Sequence, residues 1–146
     1  MVNALAWVPA IRAGGVVHGA TGDGKIAFIH AHDIADVATA ALTMPQYDGE
    51  TLAISGPKAL RYGEMVAKLG AAIDRTLAFE SISEEEERRR WSSWGESPAS
   101  IDYHMSIFRA IREGRLACVT NTVERILGRA PIAFDQWARE NAAAFR

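Results

Sequence analysis

Apolar positions along this chain switch between a helical and an alternating period, and the switches mark its elements. After Asp33, which is placed to cap a helix, Ile34, Val37, Ala38, Ala41 and Leu42 recur at helical spacing until Pro45 ends the run. Tyr62, Met65, Val66, Leu69 and Ile73 form a second stripe behind the Gly56-Pro57 turn. Ile101, Met105, Phe108 and Ile111 form a third, over Ile101 to Arg112, with Gly114 as its stop. A short helix is expected over Thr122 to Leu127 ahead of Gly128, and a last one over Phe134 to Phe145, with Phe134, Trp137, Ala138, Asn141 and Phe145 on one side. Ala4 to Ala13 reads as a short apolar helix stopped at Gly14-Gly15.

Between these stripes lie extended runs. Val16-Val17-His18 and Lys25 to His30, joined by the Gly19 to Gly24 turn, predict a hairpin, and Glu50 to Ser55 and Thr76 to Ile82 predict two more strands. The order of elements gives an α/β (α+β) class, a small mixed sheet with helices packed on it, and 146 residues make one domain, 1–146. Ser83 and Glu86 have capping-box spacing, and Glu84, Glu85 and Glu86 each stand four residues before Arg88, Arg89 and Arg90, the pattern of a solvated helix face. Ser92 to Ser100 reads as a polar loop, with Trp91 and Trp94 at its start needing cover.

Charge and cysteine content narrow the classes. A formal net charge of −2, with Lys and Arg scattered among acids, leaves no footprint for nucleic acid. The single cysteine, Cys118, excludes an intrachain disulfide and a multi-thiolate metal site, and is expected to be a small core residue. No basic start precedes a long apolar run and nowhere do eighteen apolar residues follow one another, so a cytoplasmic protein without a membrane partner is expected.

Three stretches carry a family likeness: Gly24 to Ile29 running into His32-Asp33-Ile34-Ala35-Asp36-Val37-Ala38; Leu52-Ala53-Ile54-Ser55-Gly56-Pro57 through Tyr62; and Asn121 to Pro131 leading into Phe134 to Asn141. In order and spacing they resemble the C-terminal portion of NmrA-like, atypical short-chain dehydrogenase/reductase proteins, a group that includes triphenylmethane reductase-like NAD(P)H-dependent enzymes. The resemblance implies a truncated remnant of an NAD(P)-binding Rossmann-type fold, the half that builds the substrate pocket. The Gly-rich phosphate loop and the Tyr-x-x-x-Lys pair of the wider superfamily would lie upstream. Here Tyr47, Tyr62 and Tyr103 are followed four positions later by Thr51, Val66 and Ile107. The nearest Gly cluster, Thr21-Gly22-Asp23-Gly24-Lys25, precedes the strand-like Ile26 to Ile29 rather than a helix, so it is expected to be a turn and not a cofactor loop. No cofactor site is therefore expected in these residues, with NAD(P)H entering only if a partner chain supplies it.

The resemblance places His30-Ala31-His32 where relatives usually carry an acidic and then a basic residue. At strand spacing the two imidazoles share a face bordering the expected pocket, so His30 and His32, with Asp33, are first candidates for proton transfer; strand-end histidines are the plain alternative. Adjacent His32 and Asp33 do not suit one ion, so no metal is expected. In Asp102-Tyr103-His104, Asp102 is a candidate cap, and Tyr103 and His104 are second candidates for catalysis. Trp7, Trp91, Trp94, Met105 and Phe108 are candidates to line a cavity for a flat apolar ligand, against plain core packing, the better account of Met105 and Phe108. The leading expectation is a stand-alone domain performing cofactor-free acid–base chemistry, such as isomerisation or cyclisation, on a hydrophobic small molecule. The alternatives are a substrate-binding half of an NAD(P)H-dependent oxidoreductase completed by another chain, and a non-catalytic binding module. A homodimer is expected, its contact placed on the apolar N-terminal helix around Leu5 and Trp7.

Overall fold

A computed structural model describes residues 1–146. A 3₁₀ segment, Val2–Trp7, runs into α1 (Val8–Ala13), with Pro9 tolerated in the first turn where no helical N–H bond is lost. Ala4 and Ile11 are fully buried, and Leu5 and Trp7 pack on the same core. Leu5 and Trp7, where the dimer contact was expected, are thus half-buried within the chain itself.

Strands β1 (Val16–Gly19) and β2 (Lys25–Ile26) do not form the expected hairpin. β1 instead pairs in parallel with β4 (Ala78–Ser81), in the register Val17 to Phe79 and His18 to Glu80. β2 pairs antiparallel with β3 (Leu60–Arg61), so the single mixed sheet becomes two two-stranded ones. The cause is the Gly19 to Gly24 loop, which packs on a later helix instead of reversing the chain. A Cβ at Gly24 would stand 2.3 Å from the Ile111 carbonyl oxygen, and the Arg112 guanidinium binds the Ala20 carbonyl. Parallel pairing of β1 with β4 then requires the crossover that α3 (Tyr62–Ile73) supplies.

α3 is the central helix. Tyr62, Met65, Val66, Leu69 and Ile73, the stripe read from the sequence, are all buried, and the helix packs on α7 (Phe134–Glu140), α8 (Ala142–Phe145) and β4. Lys68 Nζ holds Asp135 at 2.7 Å across the α3–α7 contact. The last helix predicted in one piece is divided at Asn141.

α2 (Ala31–Thr43) is rotated from the expected orientation. Asp33, Val37 and Ala40 face inward, whereas Ile34 is 44% and Leu42 87% exposed. Its cap is His30, whose Nδ1 accepts the His32 N–H at 3.1 Å, not Asp33. Asp33 is fully buried and locks the loop behind α6 (Thr122–Leu127): it accepts from Arg129 Nη1 at 2.6 Å and from the Ile132 N–H at 2.8 Å. A buried carboxylate needs such partners, and this need overrides the apolar stripe.

α4 (Glu84–Ser93) and α5 (Pro98–Arg112) form an antiparallel-connected pair. α4 carries on through the first part of the expected polar loop, leaving only Trp94 to Ser97, and Ser97 rather than Asp102 caps α5. Asp102 instead pairs with Arg88 at 2.6 Å. Nor is α4 simply a solvated face. Glu84 accepts from Arg88, Arg109 and Arg112, and Glu87 is buried, taking Arg90 from the expected Glu86 partner at 2.7 Å. Burial raises the Glu84 pKa, but the bonds from Arg112 and Arg88 outweigh it and hold the carboxyl below its ordinary value. Cys118, expected in the core, is exposed. No helix is long and apolar enough to cross a membrane.

Candidate functional site

The sequence candidates fall into two places, and a third feature was not foreseen. At the first, the His30 and His32 rings meet edge to face with centroids 4.9 Å apart, at the start of α2 rather than in a strand. His30 is buried and His32 exposed. Because His30 Nδ1 accepts a main-chain N–H, its proton must sit on Nε2, which donates to Glu140 at 3.2 Å. The Glu140 carboxyl lies below its ordinary value, first through the Gln136 amide, against the effect of burial, and then through His30. To take a proton, His30 would have to give up the helix cap, so a general-base role is disfavoured by the geometry and a positioning role fits.

The second place is a belt of aromatic rings centred on Tyr62. Trp7 stands 5.0 Å from the Tyr62 ring, Phe79 5.9 Å, and Phe108 and Phe28 6.3 Å each. Beyond Phe108 the belt continues through Trp91, whose ring lies tilted against His104 with centroids 4.2 Å apart, to Trp94 and Tyr103 at the surface. Of the residues proposed from sequence, Trp7, Trp91 and Phe108 are therefore joined by ring contacts, with Phe108 itself buried in the core, as its plain packing account expected, and Trp7 and Trp91 partly exposed. Trp94 and Tyr103 are 64% and 63% exposed at the outer end of the belt, and Met105 is sealed in the core without access to a ligand. His104 has Nδ1 engaged by the Ser100 carbonyl at 2.8 Å, which leaves Nε2 free.

Two polar groups on this belt escaped the sequence reading. Glu87 accepts the Trp91 indole N–H at 2.9 Å and fixes the ring. The Tyr62 hydroxyl bonds to no group of the chain and is not sealed from solvent, and burial, with the Glu87 charge adding to it, pushes its pKa up to about 12. Tyr62 fell on the apolar stripe of α3 and so read as core. Glu87 fell in a charge run and so read as surface.

The third feature is a cleft of about 600 Å³ on the face formed by Ile26 to Ile29, Ala53 to Ser55, Ile34, Leu116 and Cys118. Gly56 lets its two walls approach, since a Cβ there would lie 1.9 Å from the Phe28 carbonyl oxygen. Phe28 belongs both to this cleft and to the aromatic belt.

The Gly22 to Gly24 turn cannot cradle a pyrophosphate: it leads into β2 rather than a helix, and Gly24 is pressed on the Ile111 carbonyl. These residues do not fit a dinucleotide.

Comparison with known proteins gives a consistent relationship. No family model matches the chain. Over 145 residues, 99% of this chain, it is 36% identical to a (4-alkanoyl-5-oxo-2,5-dihydrofuran-3-yl)methyl phosphate reductase of Streptomyces griseus, of which the match covers 51%. It is 33% identical over the same length to an NAD(P)H azoreductase of Xenophilus azovorans, again covering 51% of that protein. Among solved structures, an NADPH-dependent quinone oxidoreductase of Escherichia coli superposes with a TM-score of 0.86 at 23% identity, over 94% of this chain and 50% of that one. A Citrobacter triphenylmethane reductase superposes with a TM-score of 0.81 at 15% identity, over 94% and 47%. The chain spans about half the length of the curated relatives it matches.

Proposed function

We propose that this chain, a homologue of half of an NmrA-like reductase, is the substrate-side half of an NAD(P)H-dependent oxidoreductase, with the nucleotide site carried outside residues 1–146. The observation that carries this reading is the match of 99% of the chain to half of two named reductases, joined to a glycine turn unsuited to a dinucleotide. The cofactor-free acid–base reading loses its main support, because His30 is committed to a helix cap and relatives along the whole chain are named as reductases or dehydrogenases.

The aromatic belt is the substrate face. Rings that bury large areas at low entropy cost suit flat conjugated acceptors, the kind named for the relatives: a quinone, an azo compound, an oxo-dihydrofuran. Trp7, Phe79 and Trp91 supply the surface, and Glu87 holds Trp91 in place. The Tyr62 hydroxyl, a neutral phenol that bonds to no group of the chain, donates a hydrogen bond to an acceptor oxygen or nitrogen. NAD(P)H bound on the other half supplies the reducing equivalents.

The test joins the part of the Xenophilus azovorans azoreductase that this chain does not match to this chain as one fusion. Acceptor-dependent NADPH oxidation is expected from the fusion with a quinone or an azo dye, and none from this chain alone. Tyr62→Phe in the fusion should cut kcat/KM about tenfold, the value of one hydrogen bond of roughly 1.4 kcal/mol. A fusion that melts cooperatively and binds NADPH, yet oxidises none with a quinone, an azo dye or an unsaturated lactone, refutes the reading.

A further inference from the structure

The outer end of the aromatic belt is built around a ring nitrogen that binds nothing. Glu87 orders both tryptophans there: one carboxylate oxygen accepts the Trp91 indole N–H at 2.9 Å, and the other holds Arg90 at 2.7 Å, whose guanidinium lies over the Trp94 ring at 5.1 Å. His104 lies against the Trp91 ring, with the Tyr103 ring edge-on to it at 5.4 Å. Its Nδ1 faces the Ser100 carbonyl oxygen at 2.8 Å, and since a carbonyl can only accept, Nδ1 carries the hydrogen. In the neutral ring Nε2 therefore presents a lone pair. No group of the chain meets that lone pair, and the side chain is half-buried.

Packing on Trp91 uses a face of the imidazole and the Ser100 bond uses one nitrogen, so the second nitrogen is left over. The other unpartnered polar group on the belt, the Tyr62 hydroxyl, offers the opposite polarity, a donor where Nε2 is an acceptor. Ring contacts of 6.3, 6.4 and 4.2 Å lead from Tyr62 through Phe108 and Trp91 to His104, a row that suits a ligand of two or three fused rings rather than one. We infer that His104 is a specificity-determining residue, whose Nε2 accepts a hydrogen bond from a hydroxyl or primary amino group on the ligand. The chain then selects flat conjugated acceptors of two or three rings that carry such a donor on the ring remote from Tyr62. This deepens the reading of the belt as a substrate face and rests on it. A histidine that merely packs on Trp91 and ties its own helix at Ser100 predicts no preference for a donor.

A pair of three-ring quinones, 2-aminoanthraquinone and 2-methylanthraquinone, tests the inference, because the two differ in one donor group. Binding is read by quenching of tryptophan fluorescence at about pH 8, where an imidazole is neutral, and without NADPH, so that nothing turns over. The isolated chain should bind the amino compound about three- to tenfold more tightly than the methyl compound, the value of one net hydrogen bond. His104→Phe, which keeps a flat ring on Trp91, should abolish the preference by weakening the amino compound alone. His104→Gln, which keeps an acceptor oxygen, should retain part of it. The fusion should show the same preference. Equal affinities in the parent, or a preference that survives His104→Phe, overturn the assignment and leave the reductase reading standing. Equal weakening of both compounds by His104→Phe assigns the histidine to packing and overturns it too. If neither compound binds the isolated chain or the fusion, the substrate face is refuted and the inference falls with it. A fusion that binds the pair with the expected ratio but oxidises no NADPH refutes the reductase chemistry and supports the His104 contact.

Discussion

Replacing Asp33 by asparagine distinguishes a helix cap from a buried lock. Asparagine caps a helix as well as aspartate does, so a capping role predicts almost no change. In the structure, however, the carboxylate is fully buried and receives Arg129 at 2.6 Å and the Ile132 N–H at 2.8 Å. The amide nitrogen of asparagine would face one of these donors with another donor. A hydrogen bond to a charged group contributes about 1.5–3 kcal/mol, and breaking a fully buried pair costs about 3–5 kcal/mol. The Arg129 side chain is 40% exposed and keeps Asp36 at 2.8 Å, so the lower part of that range applies, about 2–3 kcal/mol. For 146 residues the unfolding entropy is about 0.3 kcal/mol/K, which converts the loss to a fall in melting temperature of about 7–10 °C. Urea unfolding followed by circular dichroism gives the free energy directly. Arg129→Met should cost a similar amount, and the double variant much less than the sum, because each single change leaves the other group without its partner. If Asp33→Asn lies within about 0.5 kcal/mol of the parent, the lock is wrong.

Three further outcomes follow from the same geometry. Tyr62, with a folded pKa pushed from 10.0 to about 12, favours the neutral phenol, so its contribution is complete below pH 10 and is lost as pH rises towards 12. Stability measured across that window should fall less in Tyr62→Phe than in the parent, and an equal fall in both would contradict the assignment. Asp135 is held below its ordinary 3.8 chiefly by Lys68, so the contact contributes above that pH and is lost on further acidification; Lys68→Met should flatten the acid limb of the stability curve, and an unchanged limb would remove the contact from the account. His30→Ala should lower stability by about 1–2 kcal/mol and His30→Asn should restore most of it, since both His30 and asparagine can accept the His32 N–H; equal losses in the two variants would argue that the cap matters little.

What the sequence determined by itself was local. The stripe Tyr62 to Ile73 became α3 with the same face inward, Gly128 ended α6 at a φ of +65°, and the motif order around Asp33, Leu52 and Thr122 led to the reductases the chain matches. Such features depend on periodicity and end chemistry within a dozen residues, and these are written in the chain directly. Partnership was decided only by the tertiary structure. β1 passed over the nearby β2 for β4, because the glycine loop was committed to α5. α2 turned its carboxylate inward and left Ile34 and Leu42 outside, because a buried lock to Arg129 took precedence over the apolar stripe. Tyr62 and Glu87, 25 positions apart in sequence, come close enough for the Glu87 charge to act on the Tyr62 hydroxyl, and neither was readable as such while one matched a core pattern and the other a solvated one. Long-range hydrogen bonds and buried charge have no period in sequence, so they appear only when distant elements are brought into contact.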